Sequence, residues 1–290
     1  MMGARLMNGL RFLYGRRWLL SRRAVQIFIV LAFAVEFPGI GRIAAGNLSS
    51  SRWFDALSLT DPFVMLQSLL AGAPIGLTAL VGAAIVIAFS AIVGGRVYCS
   101  WVCPINMVTD AAYWLRQKLN IKGNMSMPRQ LRNAILAVAL LLSMLTATVA
   151  WEIINPITLL QREIMWTSAA GVTMLLGFFL FDLLVSRRGW CGHLCPVGAF
   201  YALLGRYGQL RVTATHAGSC TACSSCVCVC PEPHVLAPLV AQEAGSVTSG
   251  DCTRCGACLD ACSSGALGMR LHVGKKNTLC GIPVVTERNP

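Results

Sequence analysis

Eight cysteines near the C-terminal end restrict this chain more than any other feature. Cys220, Cys223, Cys226 and Cys230 form a CxxCxxCxxxCP run closed by Pro231, and Cys252, Cys255, Cys258 and Cys262 repeat the spacing one short loop later. An iron–sulfur cubane needs four soft thiolates converging on one small object. A CxxCxxC loop wraps three irons, while the fourth cysteine leads away to a neighbouring cube. The spacing therefore predicts two [4Fe–4S] clusters with crossed ligands: Cys220, Cys223, Cys226 and Cys262 for one, and Cys252, Cys255, Cys258 and Cys230 for the other. Structural zinc knots are the competing reading, but they use four ligands per metal and rarely three closely spaced triplets. A disulfide framework does not suit the reducing compartment where the charge pattern below places this segment. Two cubes within residues 212–272 leave little room for a core, so cluster binding and folding of this small α+β unit should be coupled.

The rest of the chain has the opposite character. Of its 290 residues 56% are hydrophobic and only 12% charged, with a mean hydropathy of +0.63. A soluble domain carries about twice that charged fraction, so the apolar surplus is expected to face lipid. Four stretches, 24–46, 73–94, 131–152 and 165–186, are long enough to cross about 30 Å of hydrocarbon as helices. The first is read as a retained anchor rather than a cleaved signal, because it is long and contains Glu36 and Pro38. The run from Leu59 to Leu70 is shorter, carries Asp61 and Pro62, and reads as a re-entrant or interfacial segment.

Basic residues fix the expected orientation. The leader, residues 1–23, holds Arg5, Arg11, Arg16, Arg17, Arg22 and Arg23 with no acid, whereas the loop after the first span sets Arg52 beside Asp55 and Asp61. Arg96, Arg116, Lys118, Lys122, Arg129 and Arg132 make the next loop basic again, and Arg187, Arg188, Arg206 and Arg211 follow the last span. The positive-inside rule then puts both termini and both clusters in the cytoplasm. Topology and anionic lipid account for the formal charge of +12. No nucleic-acid-binding motif accompanies it, so no nucleic-acid partner is expected.

The membrane part reads as two copies of one unit. Asp61-Pro62 to Gln67 and Asn155-Pro156 to Gln161 share the form [DN]PxxxLQ, and each is followed by an apolar span and a CxxxCP motif, Cys99 to Pro104 and Cys191 to Pro196. The offset is 94 residues between the prolines and 92 between the first cysteines. The fold expected is thus an all-α membrane four-helix bundle of two similar two-helix halves, residues 24–211, joined to the small two-cluster unit and a tail of 273–290. In an α-helix CxxxC places both thiols on one face. Cys99, Cys103, Cys191 and Cys195 then line a redox or quinol site, or pair across the pseudo-two-fold axis as a third metal centre. The alternative is that they are structural thiols or a disulfide.

Other polar residues carry weaker signals. Glu36, inside the first span, is a candidate proton acceptor for quinol oxidation. Asp182 is expected to snorkel to the interface beside Arg187 or Arg188. His193 is a candidate ligand or proton acceptor, and His234 a loop residue able to tune one cluster by hydrogen bonding. Trp101, Trp114, Trp151, Trp166 and Trp190 lie near span ends, as interfacial anchors do. Cys228 and Cys280 exceed the eight thiols that two cubes require.

These motifs match a known pattern. The four spans, LTDPxxxLQSL (Leu59 to Leu70), CSWVCP (Cys99 to Pro104), WExINP (Trp151 to Pro156), GWCGHLCPVGA (Gly189 to Ala199) and CPEPHVL (Cys230 to Leu236) closely resemble the NapH family of ferredoxin-type membrane proteins, in whose group MauN also falls. The resemblance covers nearly the whole chain. It implies a quinol dehydrogenase component of the bacterial inner membrane with two cytoplasmic [4Fe–4S] clusters. Its electrons would pass by a partner ferredoxin or cytochrome c toward a periplasmic enzyme, of nitrate-reductase type in the NapH reading and serving methylamine utilisation in the MauN reading. Cys228 departs from the family pattern and raises the question whether the Cys226 ligand slips to it. An assembly factor for a periplasmic redox enzyme is the competing function.

Overall fold

The computed structural model describes residues 15–272 apart from positions 35, 38–40, 55, 122, 124, 126, 167–168 and 242–244. Arg5, Arg11, Asp55, Lys122, Cys280 and the 273–290 tail lie outside the described residues. The chain is mostly helical. Helix α1 (Arg17–Ala34) leads into short strands β1 (Glu36–Phe37), β2 (Gly41–Arg42), β3 (Ala44–Gly46), β4 (Ser50–Trp53) and β5 (Leu57–Thr60), and then come α2 (Pro62–Leu70) and α3 (Leu77–Val93). A π-turn over Tyr98–Val102 is followed by α4 (Ile105–Lys118). Next are α5 (Gln130–Thr146), α6 (Pro156–Trp166), α7 (Ala169–Leu180, prolonged as a π-turn to Val185), a π-turn over Trp190–Leu194, and α8 (Pro196–Gly205).

The repeat is visible in how these helices begin and in what they bury. Asp61 and Asn155 each sit before a proline and accept the N–H two residues on, from Phe63 at 3.0 Å and Ile157 at 3.1 Å, which caps α2 and α6 in the same way. Helix α1 buries Arg22, Gln26, Ile29 and Phe33, while α5 buries Arg132, Leu136, Ala139 and Ser143, an identical 4-3-4 register that starts from an arginine. The halves interlock: α4 packs on α7 of the second half, and α8 packs on α3 of the first. Phe63, Trp151, Val197 and Tyr201 form the core between them.

Outside this core the helices stay apolar. Phe28 and Leu31 on α1, Leu80 and Phe89 on α3, Leu141 and Leu145 on α5, and Val172 and Leu176 on α7 are all exposed. Among the described residues, however, no helix is long and apolar enough to cross a membrane. Helices α3 and α5 have 17 residues each, about 25 Å of rise. The first expected span is corrected most. Its helix spans Arg17–Ala34, and Glu36–Phe37, Gly41–Arg42 and Ala44–Gly46 are strands, with Glu36 opposite Arg42. Pro38 disfavours helix at the residue before it and supplies no N–H itself.

After α8 the chain enters strand β6 (Leu210–Ala214), which pairs antiparallel with the final strand β7 (Leu267–Leu271), Val212 opposite Met269. Between them lie three short helices, α9 (Ser225–Val229), α10 (Ala237–Val240) and α11 (Ala257–Ala261). A small core of Val212, Val235, Leu236, Leu239 and Val247 holds this segment together.

Candidate iron–sulfur site

The two cysteine runs adopt one backbone path. Ala222 and Ser224 flank Cys223 with φ of 51° and 57°, and Arg254 and Gly256 flank Cys255 with φ of 50° and 73°. Left-handed residues at the same two places bend each CxxCxxC segment into a loop before α9 or α11 begins. The fourth cysteine of each run then crosses over. One small cavity is lined by Cys230, Cys252, Cys255 and Cys258, and another by Cys220, Cys223, Cys226 and Cys262. Cys226 lines the second cavity, and Cys228 is exposed beside it. Each cavity thus gathers four thiols, a donor set that suits an iron–sulfur cube. Among the described residues no group of three or more His, Cys, Asp or Glu side chains is placed to hold a single metal ion.

The two cavities differ in exposure. Cys230, Cys255 and Cys258 are buried, whereas Cys223 is exposed. Burial pushes the Cys230 thiol up to about 12 and Cys258 higher still, while hydrogen bonds from Ser225 draw Cys223 down to about 7. Metal binding at the buried site must therefore expel protons that the fold alone retains.

The buried cavity is docked on the helical part by polar contacts. Ser100 Oγ donates to the Thr253 carbonyl at 2.7 Å, and Trp101 Nε1 to the Arg254 carbonyl at 3.2 Å. Arg96, fully buried, donates to Glu232 Oε1 at 2.8 Å, to the Asp251 carbonyl at 3.0 Å and to the Cys191 carbonyl at 3.2 Å. Arg132 pairs with Asp251, and His234 Nε2 lies 3.1 Å from the other Asp251 oxygen. Although burial opposes its charge, these partners hold Asp251 well below the usual carboxylate range. On the far side Asp260 accepts from the backbone N–H groups of Trp18 and Leu19 at the start of α1.

Sequence reading missed this network. Arg96, Arg132, Glu232 and Asp251 were visible only as loop charges, and their one signal was position, each lying within a few residues of a cysteine motif or a helix start. Three expectations need correction. Asp182 does not snorkel; it is buried and accepts from Trp190 N–H at 3.0 Å, which fixes the second π-turn. Trp151 and Trp190 stack in the core at 6.3 Å and Trp101 docks the tail, so these rings are not interfacial anchors. Indole N–H groups and large flat faces serve packing as well as they serve an interface. The CxxxCP segments are π-turns rather than α-helix. A residue before proline avoids the α region, so Cys103 and Cys195 are extended with ψ of 119° and 112°. Glu36 lies in β1, and its side chain is outside the described residues. His193 is half-buried, which lowers its basicity, and its Nδ1 has no hydrogen-bond partner.

Comparison with known proteins places this geometry. A family model described as a 4Fe-4S binding domain matches residues 75–122 and again 167–213. The methylamine utilization ferredoxin-type protein MauN of Methylobacillus flagellatus is 67% identical over 275 residues, covering 95% of this chain and 96% of its own. The chain belongs to the NapH/MauN family of ferredoxin-type proteins. MauN of Methylorubrum extorquens is 47% identical over 78% of the chain and 79% of its own, and the ferredoxin-type protein NapH of Escherichia coli is 46% identical over 85% and 87%. No solved structure matches. As a NapH/MauN family member the chain is an iron–sulfur electron-transfer protein. The double match falls on the two repeated units, each of which contains one CxxxCP turn.

Proposed function

We propose that this protein takes electrons from membrane quinol and passes them singly through two [4Fe–4S] clusters to a redox partner that feeds a periplasmic enzyme. The observation that carries this reading is the pair of four-cysteine cavities, one buried against the helices and one facing solvent. Clusters bound there would supply one-electron carriers at tunable potential. Cys230, Cys252, Cys255 and Cys258 form the inner station and Cys220, Cys223, Cys226 and Cys262 the outer one. Exposed Cys223 marks the face where a partner ferredoxin or cytochrome c docks.

The apolar faces of α1, α3, α5 and α7 support a four-helix membrane domain over 24–211 in the bacterial inner membrane, with the cluster domain 212–272 on the cytoplasmic side. Quinol is proposed to bind between the helices near the repeat interface, where its two electrons and two protons would be released. Glu36, at the end of α1 away from the tail, is the acid proposed to take a released proton. The higher identity to MauN than to NapH favours service in methylamine utilisation over nitrate reduction.

The test is anaerobic. The purified protein is placed in phosphatidylethanolamine/phosphatidylglycerol vesicles and mixed with a reduced short-chain quinol, and the visible absorbance of the clusters is followed. Bleaching on the timescale of turnover supports the reading. Unchanged absorbance, with dithionite still able to bleach the same sample, refutes quinol as the donor.

A further inference from the structure

Two cubes leave Cys99, Cys103, Cys191 and Cys195 without a role. One pair comes from each half, on π-turns that correspond residue for residue. Cys103 packs in one cluster with Tyr98, Trp190 and Cys191, and Cys195 also packs with Tyr98 and Trp190. None of the four is in a disulfide. Cys103 of the first half and Cys191 of the second thus meet in one packed cluster.

Each pair is met by groups that favour a metal-bound thiolate. Cys103 and Cys195 stand just before the first turns of α4 and α8. The positive end of a helix dipole favours a thiolate placed there. Arg96, three residues before Cys99, donates to the Cys191 carbonyl at 3.2 Å. The 4Fe-4S binding-domain match also falls on these two turns and ends at residue 213, before Cys220.

We propose that Cys99, Cys103, Cys191 and Cys195 together hold a third iron–sulfur cluster at the pseudo-two-fold axis, beside the Cys230, Cys252, Cys255 and Cys258 site. It rests on the iron–sulfur reading above and extends it. The two sites are in contact: Ser100 lies between Cys99 and Cys103 and donates to Thr253, which lies between Cys252 and Cys255. Arg96 touches both, through the Cys191 and Asp251 carbonyls. The four thiols would thus form a further station on the electron path, one electron arriving and one leaving with no bond made to substrate.

The test uses full-length protein purified anaerobically, as wild type and as the Cys99→Ser/Cys195→Ser and Cys252→Ser/Cys258→Ser variants. Wild type is expected to carry about four more irons per chain than two cubes supply. The first variant should lose that iron and one component of the dithionite-reduced EPR spectrum while keeping the tail signals. Iron and spectrum identical to wild type in the first variant, but reduced in the second, would overturn the third site and leave the two-cube reading intact. No loss in either variant would sink both. Independently of any variant, iodoacetamide followed by peptide mass spectrometry should modify the four thiols only after iron is chelated. Their modification before chelation, or their recovery as disulfides, overturns the proposal.

Discussion

Arg96 and Glu232 lie 136 positions apart in sequence and meet at 2.8 Å in a fully buried ion pair. The pair joins the start of the first CxxxCP turn to the residue that follows Cys230-Pro231, so the helical part and the inner cysteine cavity are fastened at one point. Removing one partner leaves the other charge buried. Arg96→Met is therefore expected to destabilise the docked tail by about 3–5 kcal/mol. Limited proteolysis should then release a fragment cut near residues 206–210, and an uncleaved tail would contradict the fastening.

Crossing of the fourth cysteines makes a ligand prediction. Cys230→Ser should remove the same EPR component as Cys255→Ser, and Cys262→Ser the same component as Cys223→Ser. If Cys230→Ser instead matches Cys223→Ser, each run serves its own cluster and the cavities are assigned wrongly.

Asp61 supplies a pH dependence. Burial raises its carboxyl from 3.8 to about 6, against hydrogen bonds from Phe63 and Tyr201. A raised acid favours the fold while protonated, so its contribution is complete below pH 3.8 and is lost as pH climbs through about 6. The loss is about 3 kcal/mol at neutral pH. Asp61→Asn reproduces the Asn155 cap of the second half and should flatten this dependence, raising stability at about pH 7. Thermal unfolding across about pH 4–7 reads it, and parallel curves for the two proteins would exclude Asp61 as the source.

Gly256 approaches α1 closely. Its φ is 73°, and an added Cβ would lie 2.4 Å from the Trp18 ring. Gly256→Ala should cost about 1–3 kcal/mol and open the Asp260 cap. Faster hydrogen exchange at the Trp18 and Leu19 amides is the expected readout, and unchanged protection would show that the ring moves aside freely.

Iron removal should unfold the C-terminal segment but spare the helices. The apolar core there is small and includes Cys230 and Cys258 themselves, whose thiols burial pushes up so that metal binding must displace a proton. Far-UV circular dichroism should keep most of its helical signal under chelation while proteolysis cuts between residues 215 and 265. Resistance of that stretch without iron would mean that the core suffices.

Local spacing determined much of this protein. The doubled cysteine run, the two CxxxCP motifs and the [DN]PxxxLQ caps each depend on residues a few places apart, so their geometry is written in the chain itself. Cysteine before proline would also have announced an extended backbone at Cys103 and Cys195, had that restriction been applied over the helical one. Tertiary structure alone decided the rest. It set Arg96 on Glu232, turned Asp182 inward onto Trp190, and stacked Trp151 on Trp190. Arginine, aspartate and tryptophan suit either a solvated edge or a desolvated, paired interior, and only the partner brought from the other half or from the tail selects between them.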